Sequence, residues 1–382
     1  MIKRQMAEWL SQIATEYAVI SIMGPRQSGK TTLAKDLFRD YDYVNLEDPD
    51  MRRAAEVDGA DFLRRHPSPL VIDEVQRVPS LLSRIQVKVD ENPKRKAAYV
   101  LTGSHQPALR TGISQSLAGR VALVRLMPLS LSEVASIGPI PSREELVFQG
   151  FMPRIYDEAV SATTLHSGYV ATYVERDVNE MLALKDRRRF ETFLRLVAGR
   201  VGQLMVYESI AAEVGVSAAT IKSWLSVLEA SFIVFTVPCY YRNFGKRFVK
   251  APKVYFTDVG LASYLIGIRE PAQVDRDPLF GGLFENMVVA DIFKQRLNAG
   301  REPDMYFVRD YKGFEVDLLV ENGRKVDLYE IKSSMSFNES FAANVVRLAE
   351  VLPNADRKFV VYSGYPAAAS GVEFVNYANV VA

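Results

Sequence analysis

The sequence predicts an α/β fold in three parts: a parallel sheet with helices, a helical module, and a smaller α/β domain. Short apolar runs alternate with amphipathic stretches up to about residue 150, as in successive βαβ units. Residues 165–265 have mostly helical periodicity, and runs typical of strands return after residue 304. Three prolines between residues 128 and 141 interrupt the first pattern. We therefore predict domains at residues 1–155, 156–275 and 276–382.

The first domain contains five apolar runs that read as buried strands. A Gly-rich turn joins the first run to a helix at residues 31–38, and amphipathic stretches at residues 50–65 and 80–89 separate later runs. Helices between strands in this order favour a parallel sheet, because parallel strands need long crossover connections. The predicted strands are Ala18–Met23, Tyr43–Leu46, Leu70–Ile72, Tyr99–Leu101 and Val121–Leu126.

Composition favours a soluble globular protein. The chain has 382 residues and a formal net charge of +1, so any contact with nucleic acid must come from a local basic patch. The single cysteine, Cys239, rules out an intramolecular disulfide and fits a reducing compartment. No run approaches the roughly 18 apolar residues of a membrane span. We expect a cytoplasmic protein with no membrane partner.

An eight-residue motif after the first predicted strand matches the phosphate-binding pattern G-x-x-x-x-G-K-[ST] without a mismatch. Glycines let the backbone wrap around phosphate oxygens, and the helix that follows offers its positive N-terminal end to the anion. Lys30 is expected to neutralise the β- and γ-phosphates, and the Thr31 hydroxyl to ligate Mg²⁺. We therefore predict that ATP and Mg²⁺ bind at Gly24, Pro25, Arg26, Gln27, Ser28, Gly29, Lys30, Thr31 and Thr32.

Two further strands end in polar residues that complete this site. The apolar run Leu70–Ile72 leads into Asp73 and Glu74. Asp73 would hold the Mg²⁺ shell, and Glu74 would orient and polarise the attacking water. Ser104 follows the next strand, at the sheet edge where ligands bind in open α/β folds, and is the first candidate to contact the γ-phosphate or the water. Thr102 is the second candidate, and a helix N-cap is the alternative role for Ser104.

The chain resembles the AAA+-type ATPases of bacteria and archaea that couple a P-loop ATPase core to an uncharacterised C-terminal domain. The resemblance implies a P-loop NTPase fold and an ATP hydrolase. It also implies that Arg120 acts as an arginine finger or sensor that stabilises charge on the γ-phosphate. A surface ion pair is the alternative for Arg120, and Arg154 is a weaker sensor candidate. A finger acting in trans would require a homo-oligomer. The resemblance rests on residues 24–32, 70–79, 101–104, 116–120 and 126–130.

The middle of the chain has the pattern of a helix-turn-helix. A helix begins near Val206, Gly215 suits a tight turn, and Ser217 would cap a second helix at Ala218–Leu228. Apolar runs on either side of the segment Tyr240–Lys253 could supply the strands of a winged helix. The second helix carries Lys222 as its only strong cation, so recognition of a DNA sequence by this helix is not expected.

The segment Tyr240–Lys253 carries five basic and four aromatic residues and no acid. Such a loop beside a winged helix is typical of a phosphate-contacting wing, which predicts DNA as a partner. Arg187, Arg188 and Arg189 form a second basic cluster. The alternative is a winged helix used only for packing against protein.

The last domain contains acidic and basic residues on a predicted hairpin. If Glu321 pairs with Val326, counting places Asp317 opposite Glu330, and Lys332 shares a face with Glu330. Two carboxylates can bind Mg²⁺ against a scissile phosphate, and a lysine beside them can position a water.

This pattern resembles the D…E-x-K core of restriction-endonuclease-like folds. The resemblance implies a metal-dependent nuclease with Glu285 as an additional acidic residue. Solvated hairpin charges are the alternative. Two functions follow from the whole sequence: an ATP-driven enzyme that engages and cleaves DNA, and a nucleotide-controlled switch whose C-terminal fold only binds a protein or DNA.

Overall fold

The computed structural model describes residues 2–104, 113, 115–174, 187–240 and 251–381. The chain divides into two compact units. The first unit comprises Met1–Leu129 with two short later segments, Ala230–Phe232 and Leu297–Arg301. The second unit comprises Ser130–Glu229, Ile233–Arg296 and Glu302–Ala382. The division into three domains stays a prediction.

The first unit is an α/β layer structure around a five-stranded parallel sheet, as the alternating pattern predicted. Every residue of β1, β3 and β4 is buried, which fits strands covered on both faces. The strand order is β2-β3-β4-β1-β5. The elements are α1 (Met6–Ile13), β1 (Val19–Met23), α2 (Lys30–Leu37), β2 (Asp42–Asn45), α3 (Pro49–Val57), α4 (Gly59–Arg65), β3 (Leu70–Asp73), α5 (Leu81–Glu91), β4 (Tyr99–Gly103) and β5 (Val121–Arg125).

This strand order gathers the motif residues at one edge of the sheet. Met23 at the end of β1 is level with Gly103 at the end of β4, and β3 lies on the other side of β4. Because the strands are parallel, the turns after β1, β3 and β4 all emerge at the carboxyl edge. The phosphate-binding motif, Asp73 and Ser104 therefore share that edge.

The second unit begins with helices and a short antiparallel pair of strands, β6 with β7. The predicted helix-turn-helix segment is present as two helices, with Gly215 in the left-handed region at φ 76° and the Ser217 hydroxyl accepting from Thr220 N. The elements are α6 (Leu131–Ala135), α7 (Arg143–Gln149), α8 (Pro153–Asp157), α9 (Ala162–Tyr169), α10 (Arg187–Ala198), α11 (Tyr207–Val214), α12 (Ala218–Ala230), β6 (Val234–Val237), β7 (Lys253–Phe256), α13 (Val259–Leu265), α14 (Pro271–Val274) and α15 (Phe280–Asn298).

A mixed six-stranded sheet follows in the second unit, in the order β12-β13-β11-β10-β9-β8. The hairpin of β9 and β10 pairs Glu321 with Val326, as counting predicted, and the pairing continues to Leu318 with Tyr329. Among the helices described, none is long and apolar enough to cross a membrane. The elements are β8 (Met305–Arg309), β9 (Glu315–Asn322), β10 (Lys325–Ile331), α16 (Ala343–Val351), β11 (Ala355–Tyr362), β12 (Ala367–Ala369) and β13 (Val372–Asn376).

Candidate nucleotide site and carboxylate cluster

The phosphate-binding loop has the backbone geometry that its glycines predict. A Cβ atom on Gly24 would lie 2.0 Å from the carbonyl oxygen of Leu126, so only glycine fits there. Gly29 lies in the left-handed region at φ 92° and immediately precedes α2. The Ser28 hydroxyl is buried and has no hydrogen-bond partner among the described residues. The loop thus presents an unsatisfied polar atom beside the N-terminus of a helix, as an anion site requires.

Lys30 is buried at the start of α2, and its ammonium group bends back over the loop. It donates to the carbonyl oxygens of Gly24, over 3.0 Å, and Pro25, over 2.8 Å. These contacts hold the positive charge at the concave side of the loop, where phosphate oxygens would lie. That Lys30 neutralises the β- and γ-phosphates stays a prediction.

Asp73 accepts hydrogen bonds from three hydroxyl groups. Its Oδ2 atom accepts from Thr31, over 2.9 Å, and from Tyr43, over 2.7 Å, while Oδ1 accepts from Thr102. Burial raises the pKa of Tyr43, and its hydrogen bond to Asp73 raises that pKa further, so the phenol stays a donor. Thr31 and Asp73 thus lie together, and their role as Mg²⁺ ligands stays a prediction. Sequence reasoning missed the contact of Tyr43, although its place on β2, next to β3, was a usable signal.

Glu74 and Ser104 are joined by a residue that the motifs did not single out. Gln76 donates from Nε2 to a carboxylate oxygen of Glu74 and, over 3.0 Å, to the Ser104 hydroxyl. Glu74 itself lies in the left-handed region at φ 57°. A non-glycine residue in that region is uncommon and is often found at functional sites. Gln76 thereby fixes the carboxylate relative to the end of β4.

A buried arginine from the N-terminal segment supports the loop from behind. Arg4 donates to the carbonyl oxygen of Ser28, over 2.6 Å, and to that of Met127, over 2.7 Å. Its guanidinium group connects the phosphate-binding loop to the chain after β5. No residue pattern around Arg4 indicated this role, because arginine side chains are mostly exposed.

The structure does not bring Arg120 to the phosphate-binding loop of its own chain. Arg120 precedes β5, and its carbonyl oxygen accepts from Val19 N at the amino edge of the sheet. Five residues of strand, at about 3.3 Å each, separate that edge from the loop. The side chain instead pairs with Asp90, over 2.6 Å. The structure therefore places Arg120 away from the loop of its own chain, and its role as an arginine finger or sensor stays a prediction. Arg154, in the second unit, pairs with Glu158.

In the second unit, the β9–β10 hairpin brings Asp317, Glu330 and Lys332 together. Asp317 Oδ2 accepts from Ile331 N, over 2.8 Å. The Lys332 ammonium lies 2.6 Å from Glu330 and 3.8 Å from Asp317. Burial and the neighbouring Asp317 raise the pKa of Glu330 to about 8, against the opposite effect of Lys332. The predicted register therefore holds at the level of side chains.

Lys253 corrects the predicted basic wing. It was placed in a phosphate-contacting loop, but only 1% of its side chain is exposed. Its ammonium lies 3.0 Å from Glu285, 2.6 Å from Glu315 and 3.8 Å from Asp317. Burial lowers the pKa of Lys253, yet these carboxylates outweigh it and hold the pKa well above its usual value. We call these four residues with Glu330 and Lys332 the carboxylate cluster.

Tyr240, at the other end of the predicted wing, is also buried and donates from its backbone N to Phe307. Residues 241–250 lie outside the described residues, so the remaining basic side chains of the segment are not placed. In the second basic cluster, Arg187 lies 3.4 Å from Glu191, and Arg189 donates to the carbonyl oxygen of Gly215.

The predicted metal ligands Glu285, Asp317 and Glu330 do not form an open three-carboxylate site. Within the described part of the chain, no group of three or more His, Cys, Asp or Glu side chains is arranged to hold a metal ion. The physical reason is the Lys253 ammonium, which lies between Glu285 and Asp317. Tyr255 also donates to Glu285, over 2.6 Å. A positive charge is thus already present where the cation was predicted.

Three family models match successive parts of the chain. The model described as "AAA domain" matches residues 16–135. Two models described as domains of unknown function, DUF8612 and DUF4143, match residues 140–272 and 280–378. The phosphate-binding loop, Asp73, Glu74 and Ser104 all lie within the AAA match. The match therefore supports an AAA+-type P-loop ATPase, with nucleotide binding and hydrolysis, for this part of the chain.

Relatives found by sequence match most of this chain. Uncharacterized proteins of Mycobacterium bovis and Mycobacterium tuberculosis are each 29% identical over 376 residues, which is 93% of this chain and 81% of theirs. Among solved structures, the Walker-type ATPase of Pyrococcus abyssi has 14% identity and a TM-score of 0.47, covering 69% of this chain and 96% of that one. AMPPCP-bound DnaA from Aquifex aeolicus has 18% identity and a TM-score of 0.29, covering 59% and 85%.

Proposed function

We propose that the first unit binds ATP with Mg²⁺ and hydrolyses ATP by means of a water oriented by Glu74. The observation that carries this proposal is the contact of Thr31 with Asp73 at 2.9 Å. It joins the end of the phosphate-binding loop to the end of β3, where the two Mg²⁺ ligands of a P-loop ATPase must meet. Glu74 is the next residue along the chain.

The residues present fit a bound nucleotide triphosphate. The Ser28 hydroxyl, which has no hydrogen-bond partner in the described part of the chain, and the close approach at Gly24 that only glycine allows leave a cradle for phosphate oxygens. Bound Mg²⁺ would neutralise charge on the β- and γ-phosphates, with Thr31 and Asp73 as its protein ligands. When ATP binds, the Lys30 ammonium would exchange its contacts with the Gly24 and Pro25 carbonyl oxygens for contacts with phosphate oxygens. Hydrogen bonds between oppositely charged groups are stronger, so this exchange would favour nucleotide binding.

Glu74 and Ser104 supply the parts that act on the attacking water. Glu74 holds or accepts a proton of that water, and Ser104 donates to the γ-phosphate or to the water. Gln76 fixes the distance between the two groups by contacting both. Both side chains stand at the carboxyl edge of the sheet, beside the phosphate-binding loop.

Nucleotide binding and phosphate release, measured separately, test this proposal. Lys30→Ala should abolish nucleotide binding or turnover, and Glu74→Gln should retain ATP but stop hydrolysis. Lys88→Ala is a matched control, since Lys88 lies on the surface of the same unit and pairs with Glu91. Normal turnover in Lys30→Ala would contradict the assignment of the nucleotide site to this loop. An unchanged rate in Glu74→Gln would remove Glu74 from the mechanism.

A second candidate function is DNA engagement with metal-dependent cleavage by the second unit. The convergence of Asp317, Glu330 and Lys332 favours it, because a restriction-endonuclease-like fold uses two carboxylates and a lysine in this way. The helix pair α11–α12 with β6 and β7 would form a winged helix that holds the DNA. The alternative is a nucleotide-controlled switch in which these parts only bind a partner.

Cleavage of linear and circular DNA with Mg²⁺ or Mn²⁺, with and without ATP, distinguishes these alternatives. Loss of cleavage in Asp317→Ala would establish the nuclease site, and Lys30→Ala would show whether ATP controls it. Replacing Arg247 and Lys250 by Glu should weaken DNA binding and flatten its salt dependence. No cleavage by the wild type and no effect of DNA on ATP turnover would favour the switch.

A further inference from the structure

The Gln76 amide faces two hydrogen-bond acceptors at the carboxyl edge of the first-unit sheet. Its nitrogen donates to a carboxylate oxygen of Glu74 and, over 3.0 Å, to the Ser104 hydroxyl oxygen. An amide nitrogen carries two hydrogens and cannot accept, so the Ser104 oxygen is the acceptor in this contact. Gln76 and Ser104 are both buried, so water competes little for either group.

The Glu74 carboxylate determines which end of the Gln76 amide points toward Ser104. A carboxylate accepts hydrogen bonds and does not donate them, so the group of Gln76 that contacts Glu74 must be its NH₂. In the opposite orientation, the amide oxygen would face a carboxylate oxygen, and two acceptors would repel each other. The amide oxygen is buried and has no hydrogen-bond partner among the described residues, so no contact of its own favours that orientation. The direction of the hydrogen bond from Gln76 to Ser104 therefore follows from Glu74.

We propose that Gln76 makes Ser104 a hydrogen-bond donor to the γ-phosphate and thereby determines selectivity for ATP over ADP. This inference rests on the nucleotide site proposed above and assigns the group that recognises the terminal phosphate. Because the Ser104 oxygen accepts from Gln76, its hydrogen points away from Gln76 and is left to donate. ADP has no γ-phosphate to accept it, so this contact contributes to the binding of ATP alone.

The other candidate for this contact, Thr102, already uses its hydrogen. The Thr102 hydroxyl donates to Oδ1 of Asp73, while the hydroxyls of Thr31 and Tyr43 donate to Oδ2. A hydroxyl group has one hydrogen, so donation by Thr102 to a phosphate would break its contact with Asp73. Donation by Ser104 preserves its contact with Gln76, in which it is the acceptor. The directions of these hydrogen bonds therefore favour Ser104.

Gln76→Glu should reverse the hydrogen bond with little change of shape. Glutamate presents an oxygen where glutamine presents its NH₂, so the Ser104 hydroxyl donates to it and is lost to the γ-phosphate. We define the selectivity ratio as the Kd for ADP divided by the Kd for AMPPCP, an ATP analogue that keeps the γ-phosphate. This ratio should fall by about tenfold in Gln76→Glu and in Ser104→Ala, as for the loss of one hydrogen bond to a charged group. Gln76→Ala supplies no acceptor, so its ratio should stay within about twofold of the wild type.

The negative charge that Gln76→Glu adds near the phosphates is tested by a double variant. If the substitution acts through the hydroxyl, Gln76→Glu combined with Ser104→Ala should have the same ratio as Ser104→Ala alone. Gln12→Glu is a matched control, because Gln12 is exposed on α1 of the same unit. Titration calorimetry with Mg²⁺ and each nucleotide measures both dissociation constants, and thermal unfolding without nucleotide shows whether each variant is folded.

A wild-type ratio in Gln76→Glu would overturn the inference. An equal loss in Gln76→Ala and Gln76→Glu would also overturn it, because Gln76 would then only support the site. A ratio lower in the double variant than in Ser104→Ala would assign the effect to charge, again against the inference. If Gln76→Glu does not fold, an unchanged ratio in Ser104→Ala would still exclude Ser104 from recognition of the γ-phosphate. Wild-type affinity of Lys30→Ala for both nucleotides would instead overturn the nucleotide site itself.

Discussion

The Tyr43 phenol donates to Oδ2 of Asp73 over 2.7 Å, and the same carboxylate oxygen accepts from Thr31. Tyr43 lies on β2, the edge strand next to β3, so its hydroxyl approaches the carboxylate from the side opposite β4. With Thr102 on the other oxygen, the carboxylate is held in one orientation by hydroxyl groups from three elements. Tyr43 is thus a positioning residue for Asp73, the proposed Mg²⁺ ligand.

Tyr43→Phe removes one of these donors and nothing else of the side chain. We expect kcat for ATP hydrolysis to fall by about tenfold, because a hydrogen bond to a charged group contributes about 1.5 kcal/mol. The Mg²⁺ concentration for half-maximal activity should rise, while the affinity for free nucleotide should change little. Steady-state turnover measured across a Mg²⁺ series checks both effects.

Tyr41→Phe serves as the control, because the Tyr41 ring packs on Phe38, with ring centres 5.1 Å apart. The hydroxyl that Tyr41→Phe removes lies in the same short segment of the chain as the Tyr43 hydroxyl. Equal Mg²⁺ dependence in Tyr43→Phe, Tyr41→Phe and the wild type would contradict the positioning role.

Gln76 links Glu74 to Ser104, so its removal should affect hydrolysis and not binding. We expect Gln76→Ala to lower kcat by about tenfold, with the dissociation constant for ATP within about twofold of the wild type. Ser104→Ala should have a smaller effect. The double variant should be less impaired than the two single effects combined, because the residues act through one contact. Full additivity of the two substitutions would show that Gln76 and Ser104 act independently.

The sequence alone predicted those parts of the site whose relative positions follow directly from their spacing along the chain. The phosphate-binding loop, Asp73 and Ser104 follow strands of one parallel sheet, so their common edge could be predicted. The hairpin register also followed from counting, because the turn before Lys325 fixes which residues of β9 and β10 face each other.

Burial produced by packing between distant elements could not be predicted in the same way. Lys253 follows a run of basic residues and was expected to be exposed, but β7, α15 and β9 together bury it among carboxylates. Arg4 is similar, since its partners Ser28 and Met127 are far along the chain. The role of Arg120 was predicted from the resemblance to a family. Its position at the amino edge of the sheet depends on the direction of β5, which the resemblance did not supply.

Arg120→Ala should leave turnover within about twofold under conditions where the protein is monomeric. The side chain lies at the amino edge of the sheet and pairs with a half-exposed Asp90, and exposed pairs of this kind contribute little to folding. Phosphate release per chain, measured over a range of protein concentrations, checks this. A rise of turnover with concentration in the wild type that is absent in Arg120→Ala would instead establish a finger acting in trans.

Arg4 offers a test of how the phosphate-binding loop is held before nucleotide binds. In Arg4→Met, the carbonyl oxygens of Ser28 and Met127 lose their donors, and each unsatisfied buried group costs about 1–3 kcal/mol of unfolding free energy. The protein should be less stable, and the loop should adopt its binding geometry less often. We therefore expect both a lower unfolding temperature and a smaller increase of that temperature on addition of ATP.

Lys3→Met is the matched control, because Lys3 is the preceding cation and is exposed. Thermal unfolding of the three proteins with and without ATP separates the two effects of Arg4. A lower stability with an unchanged increment from ATP would make Arg4 a purely structural residue. A reduced increment, with KM for ATP raised more than kcat is lowered, would show that the N-terminal segment preorganises the phosphate-binding loop, since binding then includes the free energy of ordering it.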